Sequence, residues 1–191
     1  MLLLFFLLAT AASASRLSLD GEQWTLTNGT VTVPAQVPGT APDAFYAAGV
    51  RPNPEFGENQ LDVLAASTTE TVTYRREFDT PAEGCSASGR RCELVFEGAE
   101  EVPSAAPHIY IHYTYWISRP QHSPFPGIDT AATIVLNGQK VGIANNMHMR
   151  WVFDVTAALQ RPGGEANELL VHIIPATRYA QHQATLTERA R

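Results

Sequence analysis

The chain has 191 residues, of which 13 are Lys or Arg and 19 are Asp or Glu, giving a formal net charge of −6 at pH 7. This length suits one domain with a hydrophobic core, and a hydrophobic content of 45% is ordinary for a globular protein. The acidic balance offers no electrostatic reason to bind nucleic acid or an anionic membrane, so neither partner is expected.

Residues 1–14 (MLLLFFLLATAASA) predict a secretory signal peptide. An apolar run passes into small residues, and Ala12 and Ala14 fit an A-x-A cleavage site. The run is shorter than the ~20 apolar residues of a membrane-spanning helix, and a buried N-terminal strand is the alternative. We expect a mature chain that starts near residue 15 and follows the secretory pathway to an extracellular, lysosomal or vacuolar destination.

Residues 17–33 predict a β-hairpin, because two strand-like runs (WTL and VTV) flank an Asn28-Gly29 turn. Asn28-Gly29-Thr30 is also an Asn-x-Thr sequon, which the secretory pathway can glycosylate. Asn28 is therefore a predicted N-glycosylation site. A plain hairpin turn is the alternative, and the two interpretations are compatible.

Residues 34–60 are rich in proline and glycine and predict a long loop packed on a sheet, with one helical turn from Asp43 to Ala48. Residues 70–79 (ETVTYRREFD) alternate between apolar and polar side chains and predict a strand. The residues expected to face inward are Val72, Tyr74 and Phe78.

Cys85 and Cys92 flank a short polar loop between two strand-like runs. In an oxidising compartment they are predicted to form a disulfide, which would contribute ~2 kcal/mol on the chain-entropy model. Two free thiols are the alternative. A metal site is not expected here, because two thiols cannot fill a site of four ligands.

Residues 99–126 interrupt the pattern with a run rich in aromatic residues and bracketed by prolines. One interpretation is an extra hairpin or edge strand whose aromatic residues stack on sugar. A second is a metal site at His108 and His112, but an i, i+4 pair converges only on a helix, and this run is rich in β-formers. The third, which we favour, is an insertion that does not belong to the fold, such as a translated intron.

Residues 127–155 carry the clearest sheet signal. A β-branched run ends at Asn137-Gly138, which predicts a type I′ hairpin turn into a second strand, and Trp151 begins a third strand of the same meander. Residues 167–174 predict the last strand, and the polar tail 176–191 is expected to be poorly ordered or helical. Short strands, Asn-Gly turns and no sustained helical periodicity predict an all-β sandwich or jelly roll.

No candidate carboxylate pair is evident in the sequence. Glu97, Asp129 and Asp154 lie at predicted strand ends, where turn-capping or solvated roles are expected. His148 and His172 are interpreted as a loop and a strand residue. The sequence thus predicts no catalytic residue, no cofactor site and no metal site.

Six motifs in order resemble the start of the β-mannosidases, glycoside hydrolases of family two. They are VPGTAPDAFYAAGVRPNPEFGENQ at 37–60, YRREF at 74–78, LVFEG at 94–98 with IDTA at 128–131, LNG at 136–138, NM at 146–147 with FDV at 153–155, and the stretch 175–183. Deleting 99–126 joins the two halves of one strand motif, which is why an insertion is favoured.

The resemblance implies an N-terminal galactose-binding-like jelly roll over residues 15–175, interrupted at 99–126 and followed by a truncated tail. In such enzymes this domain packs on a later (β/α)₈ barrel that carries two catalytic glutamates, and the intact enzyme removes terminal β-mannose from mannosides. A free-standing carbohydrate-binding module is the alternative, with Trp24, Trp116 and Trp151 as candidate sugar-stacking residues. For Trp24 and Trp151 we favour core packing, because each lies inside a strand pattern. An incorrectly assembled reading frame is a third.

Overall fold

The computed structural model describes residues 15–80, 91–97, 108–114, 131–146 and 149–189. Its strands and helices in chain order are β1 (Ser15–Ser18), β2 (Gly21–Thr27), β3 (Thr32–Val37), α1 (Ala41–Ala47), α2 (Asn59–Thr69), β4 (Val72–Phe78), β5 (Arg91–Glu97), β6 (His108–Thr114), β7 (Ala131–Leu136), β8 (Gln139–Ala144), β9 (Trp151–Asp154), β10 (Asn167–Ile174) and α3 (Ala176–Arg189). The predicted signal peptide, Cys85, Trp116, Asp129 and His148 lie outside these ranges.

The described strands form two antiparallel sheets. One has six strands in the order β3-β2-β4-β10-β7-β8, and the other has four in the order β1-β6-β5-β9. A single cluster of buried residues draws on both, with Trp24, Ile134 and Leu169 from the larger sheet and Leu94 and Phe96 from the smaller. The predicted all-β sandwich is confirmed.

Alternating burial explains why the larger sheet has one face in the core. In β3 every second side chain is buried, and β4 buries Tyr74, Arg76 and Phe78 in the same way. Tyr74 and Phe78 were predicted to face inward, and Val72 packs against the same core while partly buried. Successive side chains point to opposite faces of a strand, so Arg76 follows the apolar residues into the interior.

Both Asn-Gly hairpins are confirmed. Asn137 and Gly138 have φ angles of 51° and 76° between β7 and β8, as a type I′ turn requires. The β2–β3 hairpin turns through residues 28–31, where Gly29 has a φ of 89°.

The predicted three-stranded meander over residues 127–155 is wrong, because β9 pairs with β5 in the smaller sheet and not with β8. The chain crosses between sheets after Ala144. Phe153 of β9 then packs directly against Gly142 of β8, where a Cβ would lie 2.0 Å from a ring carbon. The missing side chain of Gly142 therefore lets the two sheet edges approach.

Residues 38–71, named here the β3–β4 connection, contain two helices. Helix α1 covers most of the predicted helical turn, and its N-cap Thr40 accepts a hydrogen bond from the backbone N–H of Asp43. Helix α2 was not predicted, and its first residues, 59 and 60, fall in the predicted loop. Its apolar residues are only weakly segregated to one face, so periodicity gives little signal.

Strand β6 lies inside the segment predicted to be an insertion. Its backbone pairs with β1 on one side and β5 on the other, so it is an interior strand of the smaller sheet. The expectation that this segment stands outside the fold, and the edge-strand alternative, are therefore wrong for residues 108–114. That residues 99–126 are an insertion into the family pattern stays a prediction.

The tail forms helix α3 over residues 176–189, which agrees with the expectation of a helical rather than a poorly ordered tail. Thr177 Oγ1 donates to the Thr68 carbonyl at 2.9 Å, and Arg178 Nη2 donates to the Thr69 carbonyl at 3.1 Å. These bonds attach the start of α3 to the carbonyl end of α2. Across the described residues, no helix is both long and apolar enough to cross a bilayer.

Candidate functional site

The clearest pair of facing carboxylates lies on an exposed sheet surface. Glu77 of β4 and Glu168 of β10 are cross-strand partners. Arg75 lies beside them, and its Nε donates to Glu168 Oε1 at 2.6 Å while its Nη2 donates to Glu77 Oε1. These bonds, to Glu168 first, raise the pKa of Arg75. One guanidinium bridges both carboxylates in solvent, so this is a surface ion network and not an acid/base pair around a sugar.

Asp154, at the end of β9, has the turn-capping role that its position predicts. Its Oδ1 accepts hydrogen bonds from the backbone N–H and the hydroxyl of Thr156 at 3.0 and 2.7 Å, and Oδ2 lies 3.0 Å from Arg91 Nε. Partial burial acts to raise the pKa of Asp154, but the bonds from Thr156 and the charge of Arg91 hold it below its usual value. The group is an ionised structural carboxylate. The side chain of Glu97 lies outside the described residues.

Among the histidines whose side chains the structure describes, His172 contacts a strand hydroxyl. His172 Nδ1 lies 2.9 Å from Thr73 Oγ1 across β10 and β4, a cross-strand contact in keeping with a strand residue. His108 and His112 are on strand β6, which separates their Cα atoms by ~13 Å along the chain. In the part of the chain that the structure describes, no three His, Cys, Asp or Glu side chains are grouped to hold a metal ion.

The two described tryptophans differ in exposure. Trp24 is 1% exposed and donates its indole N–H to the Leu19 carbonyl at 2.7 Å, so it is a core residue, as expected. Trp151 is half-buried and lies parallel to Phe153, with ring centroids 6.3 Å apart, and its Nε1 donates to the Asn146 carbonyl. Protein therefore occupies one face and the donor group of Trp151. Sugar stacking by Trp151, and by Trp116, stays a prediction.

A buried polar network joins four parts of the sandwich. Asn167 is fully buried and donates to the Phe78 carbonyl and Thr80 Oγ1, while its Oδ1 accepts from the backbone of Gln160 and from Asn137 Nδ2. All four bonding positions of the Asn167 amide are used. The network thus fixes the β7–β8 turn and the end of β4 to the start of β10.

Arg76 is a buried cation that sequence reasoning did not single out. It is 7% exposed, and its Nε and Nη1 have no hydrogen-bond partner among the described residues. Burial lowers the pKa of Arg76, and the negative charge of Asp20 partly offsets that effect. The sequence pattern that indicates burial of Arg76 is its position in an alternating strand, two residues from both Tyr74 and Phe78.

Exposed apolar side chains are concentrated in the β3–β4 connection. Of the eight large hydrophobic residues exposed in the described ranges, four belong to it, namely Tyr46, Val50, Phe56 and Leu61. We name these four the apolar connection surface. Phe56 has 75% of its surface exposed, at the tip of a compact loop in which Asn59 Nδ2 donates to the Asn53 carbonyl. Exposed apolar residues of this kind are candidate contacts for another protein surface where they adjoin one another.

A polar contact holds this connection to the β2–β3 hairpin. Glu70 Oε2, directly after α2, accepts from Asn28 Nδ2 at 3.1 Å and from Arg51 Nη2 at 2.5 Å. Burial acts to raise the pKa of Glu70, but the bonds from Asn28 and Arg51 bring it below its usual value. The Arg51 guanidinium also lies 4.6 Å from the ring centroid of Phe45, the buried residue of α1.

Residues 24–104 and 123–190 match the model of the glycosyl hydrolase 2 galactose-binding domain-like family. The chain belongs to this family. The match covers both described sheets except β1, the first three residues of β2, and β6, and it skips residues 105–122. Strand β6, which is paired on both sides, lies within the skipped residues.

The relatives of this glycosyl hydrolase 2 domain include several β-mannosidases. The chain is 27% identical to the β-mannosidase of Rattus norvegicus over 188 residues, which is 95% of this chain and 17% of the rat protein. It is 27% identical to β-mannosidase A of Emericella nidulans over 157 residues, 81% of this chain and 13% of that protein. The solved β-D-mannosidase of Dictyoglomus thermophilum superposes with a TM-score of 0.66 at 28% identity, covering 90% of this chain and 17% of that one.

The chain thus spans about one sixth of the length of the rat and Dictyoglomus relatives and corresponds to their N-terminal part. It corresponds to the N-terminal galactose-binding-like domain of the glycosyl hydrolase 2 type.

Proposed function

We propose that the intact protein is a β-mannosidase that removes terminal β-D-mannose from glycans, and that this chain supports the catalytic part. The observation that carries the proposal is the alignment of 95% of the chain with one sixth of a β-mannosidase. Glycoside hydrolysis needs two carboxyl groups on either side of the scissile bond, ~5 Å apart when the configuration is retained. A (β/α)₈ barrel following this domain would supply both.

The support role follows from the apolar connection surface. A large exposed apolar set is costly in water, and burying it contributes ~25 cal/mol per Å². Phe56 and Leu61 are each more than 60% exposed, and the loop that carries Phe56 is ordered by its own hydrogen bonds. The occupant that suits a preformed apolar surface on an N-terminal domain is the catalytic barrel of the same protein.

The secretory route is also part of this proposal. Cys92 is fully buried and disulfide-bonded, as an oxidising compartment would produce. Its pairing with Cys85 and the cleavage of residues 1–14 stay predictions. A secreted or lysosomal destination suits an enzyme that trims glycans.

The first test is hydrolysis by the 191-residue chain alone. Purified protein incubated with 4-nitrophenyl β-D-mannoside is expected to release no nitrophenol above a mock preparation, because its described carboxylates are not set across a cleft. In parallel, the transcript past codon 191 is expected to encode a barrel with two catalytic glutamates. Release of nitrophenol by the chain, or a transcript that ends without a barrel, would contradict the proposal.

The second test concerns the apolar connection surface. In the intact enzyme, the double substitution Phe56→Ser, Leu61→Ser is expected to lower the thermal midpoint by several degrees, because two apolar contacts with the barrel are lost. In the isolated chain the same pair should leave the midpoint unchanged and reduce binding of an apolar dye. Ile143→Ser, an exposed apolar site on β8, is the matched control. Equal effects of the double substitution on intact enzyme and chain would refute docking here.

A further inference from the structure

We propose that Asn28 carries an N-linked glycan in the mature protein. Asn28-Gly29-Thr30 is the one Asn-x-Ser/Thr sequon in the chain. The modification does not depend on the mannosidase assignment, since it requires only entry into the secretory pathway and a suitable amide.

The side chain of Asn28 is held by its oxygen, which leaves its nitrogen accessible. Oδ1 accepts hydrogen bonds from the backbone N–H groups of Thr30 and Val31, both at 3.1 Å, and so fixes the plane of the amide. Nδ2 has two N–H groups, and within the described residues only one is used, by Glu70 Oε2. Gly29 and Thr30 are exposed, so an attached sugar meets solvent.

The second Asn-Gly turn shows what an unsuitable site looks like. Asn137 Nδ2 donates to the Ala158 carbonyl at 2.7 Å and to Asn167 Oδ1 at 2.9 Å, so both of its N–H groups are used inside the protein. Its Oδ1 accepts from the backbone of Glu168. The Asn137 amide therefore forms hydrogen bonds inside the protein with both of its N–H groups. The Asn28 amide lies at a solvent-exposed turn and has one N–H group that no described residue accepts.

Attachment of a glycan to Asn28 is a substitution at a sugar carbon. The donor is an oligosaccharide carried on a lipid diphosphate. A bond forms between Nδ2 and the first sugar carbon, the bond from that carbon to the diphosphate oxygen breaks, and the lipid diphosphate leaves. Nδ2 gives up one proton and keeps the other, which can still donate to Glu70. The glycan is thus compatible with the Asn28–Glu70–Arg51 contact and places the β2–β3 turn in solvent.

The experiment is translation of the chain in the presence of microsomes. One version keeps its own residues 1–14, and a second version carries the leader of a known secreted protein in their place. Glycosylation is scored only on protease-protected chain of the second version, so the result does not depend on the native leader. The wild type is expected to lose one glycan on treatment with peptide N-glycosidase. Thr30→Ser should retain the glycan, and Thr30→Ala should abolish it while preserving both Asn28 Oδ1 bonds, which come from backbone groups.

Protected wild-type chain without a glycan, or a glycan that survives Thr30→Ala, would overturn the proposal. A second readout tests the Asn28 N–H group that no described residue accepts. Glycosylated wild type and unglycosylated Thr30→Ala, both purified from secretory cells, are expected to unfold cooperatively with thermal midpoints within a few degrees. A glycosylated chain that has lost cooperative unfolding would show that the sugar displaces a contact the fold needs.

Discussion

Replacing Asn167 with alanine is expected to lower the free energy of unfolding by about 3–5 kcal/mol, the largest effect of any substitution considered for this domain. The side chain is fully buried, and its removal strips partners from the Phe78 carbonyl, Thr80 Oγ1, the Gln160 N–H and Asn137 Nδ2. Each buried group left without a partner costs ~1–3 kcal/mol, and relaxation recovers part of that. Urea denaturation followed by tryptophan fluorescence measures the change.

Asn145→Ala is the matched control for Asn167. Asn145 is exposed and donates one hydrogen bond, to the hydroxyl of Tyr179 at 3.0 Å. Its loss is expected to change the free energy of unfolding by less than about 0.5 kcal/mol. Similar values for the two variants would mean that the buried network does not hold the β7–β8 turn and β4 to β10.

Gly142→Ala is expected to destabilise the domain by about 1–3 kcal/mol, the usual range for overpacking a core contact. The added Cβ would lie 2.0 and 2.2 Å from two carbons of the Phe153 ring, so that ring has to move. Phe153 cannot move freely, because it packs edge-on against Phe96 and parallel to Trp151. The same denaturation assay reports the loss.

A double-mutant cycle separates this clash from an effect on β8 alone. Phe153→Ala removes the whole ring that faces Gly142, so Gly142→Ala should cost much less in the Phe153→Ala background than in the wild type. Additive effects of the two substitutions would place the cost of Gly142→Ala somewhere other than in the contact between the sheets.

Local chemistry in the sequence was enough to predict the two Asn-Gly hairpins and the half-buried strand β4. Asn137-Gly138 predicts a type I′ turn because both residues accept a positive φ, and the structure has 51° and 76° there. The alternation around Tyr74 and Phe78 likewise predicts a half-buried strand. The turn-capping role of Asp154 also follows from its position at a strand end.

The elements that were missed depend on neighbours distant in the chain. Helix α2 has weak periodicity of its own, and its end is held by hydrogen bonds from Thr177 and Arg178 of α3. Strand β9 looks like the third strand of a meander, but its partner is β5, about sixty residues earlier. Strand β6 takes an interior place in the smaller sheet although the family match skips its residues.

The sequence by itself determined the all-β class, the turn positions, the sequon and the family resemblance, because each depends on residue types within a few positions of one another. Tertiary structure alone decided which strands share a sheet and where Arg76 and Asn167 are buried. It also decided which of the two Asn-Gly turns keeps an amide N–H unused by the described residues. Those outcomes depend on contacts between residues far apart in the chain, and no local pattern encodes which distant backbone or side chain will meet.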